Sequence, residues 1–146
     1  MNTVAKFTRQ LRWVILSAFA LVLAGCAGMG ATGSIQVTLS GSQEVPPVTT
    51  AASGSGTITV GADKAVSGNV TTTGLVGVAA HIHDGAAGKN GPVIIPLTKT
   101  SDNAWSVPAG AKFTDAQYES YKAGNLYINV HTAANKGGEI RGQLKP

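Results

Sequence analysis

Short segments in which apolar and polar residues alternate constrain the fold of this chain more than any other feature. In residues 34–39, Ile35, Val37 and Leu39 occupy every second position, so one face of an extended strand would be apolar. Further candidate strands cover residues 57–60, 65–73, 78–83, 93–97, 104–107, 126–132 and 139–144. Clusters of glycine, asparagine and proline separate them and are typical of turns. The sequence therefore predicts an all-β domain, an antiparallel Greek-key-like β-sandwich.

One segment, residues 114–123, departs from the alternation. Thr114 is followed three residues later by Gln117, and Gly124 comes directly after the segment. A threonine and a glutamine at this spacing form a capping box at the start of a helix, and glycine commonly ends one. We therefore expect one short helix near residues 114–123, crossing between two strands.

The first 25 residues have the pattern of a secretory signal peptide. Lys6, Arg9 and Arg12 form a basic leader, and residues 13–23 form an apolar run shorter than the about 20 residues that span a bilayer. The next residues, Leu-Ala-Gly-Cys at 23–26, resemble the bacterial lipobox. This resemblance implies cleavage before Cys26 and lipidation, including palmitate, on its thiol. Cys26 is the only cysteine, so an intramolecular disulfide is excluded.

These features divide the chain into a signal peptide at residues 1–25, a lipidated tether at 26–33 and one domain at 34–146. We expect the mature protein to be anchored in the cell envelope by lipid on Cys26. Ala27, rather than aspartate, follows that cysteine. In a Gram-negative organism this favours the outer membrane, on its periplasmic or its surface face.

The positive charge of the chain lies largely in the predicted signal peptide. The formal net charge is +4, from 11 basic and 7 acidic residues. Three of the basic residues precede Cys26 and no acidic one does, so the predicted mature chain carries only +1. Nucleic-acid binding requires clustered lysine and arginine. We therefore expect no nucleic-acid partner.

Three segments, in order, carry a resemblance to a known family. Residues 39–47 read LSGSQEVPP, residues 80–93 read AHIHDGAAGKNGPV, and residues 124–132 read GNLYINVHT and lead to GEIRGQ at 138–143. Together they resemble the CHRD domain, which is named after chordin and found in many bacterial secreted proteins. The resemblance covers residues 34–145. It implies a β-sandwich similar to the immunoglobulin and superoxide dismutase folds.

All three histidines of the chain, His81, His83 and His131, lie inside these segments. On a strand, His81 and His83 leave the same face. If His131 lies on a neighbouring strand and faces the same way, the three nitrogens form a site that suits copper or zinc. In outline this is similar to copper-zinc superoxide dismutase, but no fourth histidine is present to bridge two metals. We do not expect dismutase activity.

Four charged residues are candidates for supporting this site. Asp84 and Glu139 would accept hydrogen bonds that orient the imidazoles, and Glu44 would serve as an oxygen ligand or acceptor. Arg141 would form an ion pair with Glu139 or Glu44. In the alternative interpretation the histidines are structural: they hydrogen-bond to the backbone or to Glu44 and Glu139, and so hold the glycine-rich turn.

The sequence leaves two classes of function open, and an enzyme ranks below both, because no nucleophile–base set or cofactor loop is evident. In the first, the protein is a non-enzymatic module that binds an envelope or matrix protein. In the second, it binds copper or zinc. Imidazole nitrogens that converge on a point about 2 Å from each would favour the metal.

Overall fold

The computed structural model describes residues 33–146. The predicted signal peptide, Cys26 and the predicted tether up to residue 32 lie outside the described residues. The described part contains nine strands and one α-helix. In chain order these are β1 (Gly33–Ser40), β2 (Ser53–Val60), β3 (Val66–Thr73), β4 (Gly77–Asp84), β5 (Val93–Pro96), β6 (Thr98–Ser101), β7 (Ala104–Ser106), α1 (Asp115–Lys122), β8 (Leu126–Thr132) and β9 (Ile140–Leu144).

The strands form a single antiparallel sheet in the order β5-β4-β8-β9-β1-β2-β3-β7-β6. The two strands at its edges, β5 and β6, follow each other in the chain with only Leu97 between them. The Leu97 N–H donates to the carbonyl of Ala80 on β4 at 2.9 Å. The sheet therefore curls until its edges meet, and its shape is nearly that of a barrel.

The alternation of apolar residues places one face of each long strand in the core. Leu39, Ile58, Val70, Ile82 and Ile128 are each 0 % exposed and come from five different strands. Burying such side chains contributes about 1.5–3 kcal/mol each relative to leaving them in water. The prediction of an all-β fold with one short helix is confirmed.

The capping box predicted for the helix is present. Thr114 Oγ1 accepts from the Gln117 N–H at 3.2 Å, and Gln117 Oε1 accepts from the Thr114 N–H at 2.9 Å. The helix begins at Asp115 and ends at Lys122, where it leads into β8. No helix in the described part of the chain is long and apolar enough to cross a membrane.

The outer face of β4, β8 and β9 carries the polar side chains of interest. In the β4–β8 register His81 pairs with Asn129, His83 with Tyr127 and Ala79 with His131. Paired residues lie on the same side of a sheet. The residues that alternate with them, such as Ile82 and Ile128, point into the core. In this part of the sheet, polar side chains therefore lie on the side opposite the apolar core.

Candidate metal centre

The pairing of β4 with β8 brings all three histidines together. His81 Nδ1 and His131 Nε2 form a hydrogen bond of 2.9 Å. One ring nitrogen from each of His81, His83 and His131 can be chosen so that all lie within 4.8 Å of one another. The ring centroids of His81 and His131 are 4.8 Å apart, and those of His81 and His83 are 5.6 Å apart. The imidazoles converge as the alternation on β4 required.

This spacing is close to that of ligands on one ion. Imidazole nitrogens bind zinc at about 2.0–2.1 Å, so two of them on one ion lie at most about 4.2 Å apart. The 2.9 Å between His81 Nδ1 and His131 Nε2 corresponds to an angle of about 90° at such an ion. The three histidine nitrogens all lie within 4.8 Å of one another. This exceeds the 4.2 Å maximum for two ligands of one ion by about half an ångström, and small rotations of the side chains would bring the nitrogens that much closer.

Backbone carbonyls orient two of the imidazoles. His83 Nδ1 lies 2.9 Å from the Gly91 carbonyl oxygen, and His131 Nδ1 lies 2.9 Å from that of Lys136. A carbonyl oxygen only accepts, so each Nδ1 carries the hydrogen, and Nε2 of a neutral ring bears a lone pair. Metal-binding histidines are usually held in this way, with one nitrogen bonded to a backbone carbonyl and the other free for the ion.

Burial keeps two of the rings in the form that binds metals. His83 is 8 % exposed, and its Nε2 is buried without a hydrogen-bond partner among the described residues. Burial lowers the pKa of His83. The pKa of His81 is lowered first by burial and then by the neighbouring imidazoles of His131 and His83. Both shifts favour the neutral, ligating imidazole.

The carbonyl that orients His83 depends on a glycine. A Cβ on Gly91 would lie 1.6 Å from the carbonyl oxygen of Asp84, closer than any side chain tolerates. The Asp84 N–H donates to the Pro92 carbonyl at 3.0 Å. The end of the loop after β4 therefore packs closely against the last residue of β4. Only glycine at position 91 allows this return.

Tyr127 lies between His83 and Arg141. Its ring stacks on the His83 imidazole with the centroids 4.7 Å apart and the planes 7° apart. The guanidinium carbon of Arg141, from the strand on the other side, lies 3.4 Å from the same ring centroid. Both contacts fix the plane of the tyrosine and, through it, the plane of the imidazole.

Arg141 also holds the loop at residues 85–92. It is 1 % exposed, and its Nη2 donates to the carbonyls of Ala86 at 3.1 Å and Lys89 at 2.9 Å. The predicted ion pair with Glu139 or Glu44 is not among the three ion pairs of the described region, Lys64–Asp115, Lys112–Asp63 and Lys122–Glu119. The guanidinium donates to loop carbonyls instead.

The predicted acidic partners of the histidines have other positions. Asp84 follows His83 on β4 and therefore faces the opposite side of the strand. The Glu139 carboxylate accepts hydrogen bonds from Thr50 at 2.8 Å, from Thr132 at 2.7 Å and from Asn135 at 3.3 Å. It joins the start of β9 to the neighbouring loops. The carbonyls of residues 91 and 136 orient the imidazoles in place of these carboxylates.

Glu44 lies near the site but outside the histidine cluster. It is 5 % exposed, and burial raises the pKa of its carboxyl to about 7, against the opposing effect of the Arg141 charge. The residue lines two surface cavities of about 430 and 330 Å³, the second of which also borders Lys136. Glu44 is thus a buried acid placed next to the loop that orients His131.

Sequence reasoning did not select Asn129, which the structure places in the middle of this surface. Asn129 pairs with His81 across β4 and β8 and is 2 % exposed. The signal was present, because Asn129 and His131 are two residues apart and share a face of their strand, just as His81 and His83 do. An asparagine carries no charge and titrates no proton, so it did not stand out.

Comparison with protein families identifies one match. The family model described as the CHRD domain matches residues 35–144, which is well over half of the chain. The match covers β2 to β9, all of β1 except its first two residues, and all three histidines. Comparison with curated proteins and with solved structures gives no match.

Proposed function

The chain belongs to the CHRD domain family, and on this premise we propose that it is a non-catalytic binding module whose ligand is a copper or zinc ion. His81, His83 and His131 would hold the ion. The observation that supports this most strongly is that one ring nitrogen of each lies within 4.8 Å of the others. Imidazole nitrogen suits both copper and zinc.

The alternative, that the histidines are only structural, explains part of the geometry. Hydrogen bonds to the carbonyls of Gly91 and Lys136 would indeed fix the loops. In this alternative Nε2 of His83, an acceptor in the neutral ring, is buried and receives no hydrogen bond. A buried acceptor without a partner raises the free energy of the folded state. The hydrogen bond between His81 and His131 gives a structural reason for those two rings to lie together, but it does not involve His83. A bound cation would give the third ring and its Nε2 a partner.

The proposal is tested by titrating the purified protein with Cu(II) and with Zn(II) and by comparing a His81→Ala, His83→Ala double variant. We expect about one equivalent of metal on the wild type and a loss of affinity of at least 100-fold in the double variant. Val78→Ala, at an exposed position of the same strand, serves as the control and should bind as the wild type does. Circular dichroism establishes that each variant is folded.

The metal proposal fails if the wild type binds neither ion, or if the double variant binds as tightly as the wild type. If the double variant does not fold, His131→Gln removes one ligand from the other strand. It should lose affinity while keeping the thermal unfolding of the metal-free wild type.

We also propose that the mature chain is an extracytoplasmic lipoprotein anchored through Cys26, and that in a Gram-negative cell its anchor lies in the outer membrane. The support is the lipobox-like sequence and the apolar run before it. Mass spectrometry of the N-terminal peptide should show acyl chains on Cys26, and Cys26→Ser should release the protein from the membrane fraction. A mature protein with a free thiol at Cys26 would contradict this. Binding to an envelope or matrix protein stays a prediction from the sequence.

A further inference from the structure

Two buried acceptor atoms beside the histidines have no assigned role. Glu44 Oε1 and Asn129 Oδ1 are both buried without a hydrogen-bond partner among the described residues, as is His83 Nε2. Buried polar atoms are nearly always paired in folded proteins. Three unpaired atoms on one surface therefore point to a bound group. All three are acceptors, so that group must be a cation or a donor of hydrogen bonds.

Asn129 connects the other two residues. Its Nδ2 and Glu44 Oε1 both lie next to Gly138, and on β8 it shares a face with Tyr127, which pairs with His83. Its Nδ2 donates to the Gly137 carbonyl at 3.3 Å, and this donation fixes which end of the amide is the oxygen. Asn129 also stands directly across from His81 in the β4–β8 register. The amide oxygen therefore belongs to the same surface as the imidazole nitrogens.

A glycine makes room for the contact between Glu44 and Asn129. Gly138 has φ of +131°, and a Cβ on it would lie 2.3 Å from Glu44 Oε1 and 2.7 Å from Asn129 Nδ2. The carboxylate and the amide thus pack together against the Cα of Gly138. Any side chain at position 138 would separate them. The backbone is shaped so that Glu44 reaches Asn129.

We propose that Asn129 Oδ1 is the fourth ligand of the metal centre and that the centre selects a divalent ion, Cu(II) or Zn(II), over Cu(I). Glu44 acts through Asn129: its carboxylate holds the amide in place and offsets the charge of the ion. This inference rests on the proposed metal-binding function. It adds an oxygen ligand and a preference of the site for divalent over monovalent ions, neither of which follows from three histidines alone.

The selectivity follows from ligand chemistry. An amide oxygen is a hard donor, which suits divalent ions and is a poor ligand for Cu(I). Three neutral imidazoles leave the full charge of a divalent ion uncompensated in a partly buried site, and a nearby carboxylate lowers the free energy of that charge. A monovalent ion gains less from the same carboxylate. Removing either group should therefore weaken the binding of divalent ions selectively.

The test measures Cu(II), Zn(II) and Cu(I) affinities of the full protein and of Asn129→Leu, which keeps the approximate size of the side chain but removes its oxygen. We expect Asn129→Leu to bind Cu(II) and Zn(II) 10–100-fold more weakly and Cu(I) within about threefold of the wild type. Glu44→Gln should show the same selectivity with about a tenfold loss. Asn69→Ala, at an exposed asparagine of β3, is the control and should change none of the affinities.

The inference is overturned if Asn129→Leu changes the three affinities by the same factor, or changes none of them, while the wild type binds metal. A wild type that binds no metal overturns the proposed function itself, so the two failures are distinct. If Asn129→Leu does not fold, electron paramagnetic resonance of the Cu(II)-loaded wild type decides. A pattern of three nitrogens and one oxygen supports the fourth ligand, and any other ligand pattern overturns it.

Discussion

His83 is the residue whose orientation depends most on its surroundings. The Gly91 carbonyl fixes its Nδ1–H, the Tyr127 ring fixes its plane, and burial lowers its pKa. With Nδ1 bonded to the carbonyl and the ring neutral, Nε2 is the only ring nitrogen that can bind a ligand. A preorganised imidazole loses little rotational freedom when it binds, which favours affinity. The effect can be tested at the glycine that makes this arrangement possible.

Gly91→Ala should lower the free energy of unfolding by about 3 kcal/mol and should weaken metal binding about tenfold. The reason is that the new Cβ would overlap the Asp84 carbonyl oxygen, 1.6 Å away, and the loop would have to move away from His83. Gly137→Ala is the control, because a Cβ there meets nothing within 4 Å. Chemical denaturation and a zinc titration measure both effects. Equal behaviour of the two variants would contradict the role given to Gly91.

Glu139 gives the domain a pH-dependent contribution to stability. The hydroxyl of Thr132, and then those of Thr50 and the amide of Asn135, donate to its carboxylate and lower its pKa below the ordinary 4.5. A folded pKa below the unfolded one stabilises the protein above pH 4.5 and loses that effect as the pH falls through the folded pKa.

Glu139→Gln should therefore be less stable than the wild type at pH 7 by about 1 kcal/mol, a low value because the carboxylate is partly exposed. The difference should shrink as the pH falls below 4.5, since protonation removes the charge from the wild type as well. Urea unfolding between pH 3 and pH 7 measures it. Glu119→Gln, on the exposed side of α1, is the comparison. A difference that grows towards low pH would contradict this assignment.

At the scale of elements, β8 connects the histidines to the loop that covers them. Tyr127, Asn129 and His131 alternate on its outer face and meet β4 on one side and Arg141 of β9 on the other. Arg141 stacks on Tyr127 and donates to two carbonyls of the loop after β4. The histidine cluster and the loop are therefore parts of one packed arrangement.

Arg141→Lys should weaken metal binding about tenfold and lower the free energy of unfolding by about 2 kcal/mol. Lysine keeps the charge but lacks the planar group that stacks on Tyr127 and reaches both carbonyls. Hydrogen exchange should show loss of protection at residues 85–92. Lys99→Met, which removes a cation above Trp105 at 5.6 Å, is the control and should leave that loop protected. Unchanged exchange in Arg141→Lys would show that Arg141 does not hold the loop.

The sequence predicted some elements and not others, for physical reasons. Alternation located β4 and its two histidines on one face, because period-two patterns report directly on half-buried strands. The strand β6 was missed because its residues, Thr98–Ser101, are all exposed and polar. The position of His131 beside His81 depends on strand pairing across 50 residues of chain. The carbonyls that orient His83 and His131 belong to the backbone, so no residue type reveals them.

At the scale of the whole molecule, closure of the sheet separates an apolar interior from a polar outer face. The step from β5 to β6 at Leu97 joins the two edges, and the hydrogen bond from Leu97 to Ala80 lies on the strand that carries His81 and His83. The strand that carries His81 and His83 pairs with β5 on one side and with β8 on the other, so it is not at a free edge. A rigid, doubly paired strand is well suited to hold ligands at fixed positions.

X-ray absorption at the metal edge of the zinc- or copper-loaded protein tests the central claim most directly, because it reports the ligands without a variant. We predict nitrogen and oxygen neighbours at about 2.0–2.1 Å, with the outer-shell scattering of three imidazole rings and no sulfur. A protein that retains no metal, or a spectrum with fewer than three imidazoles, would contradict the claim that His81, His83 and His131 form a metal centre.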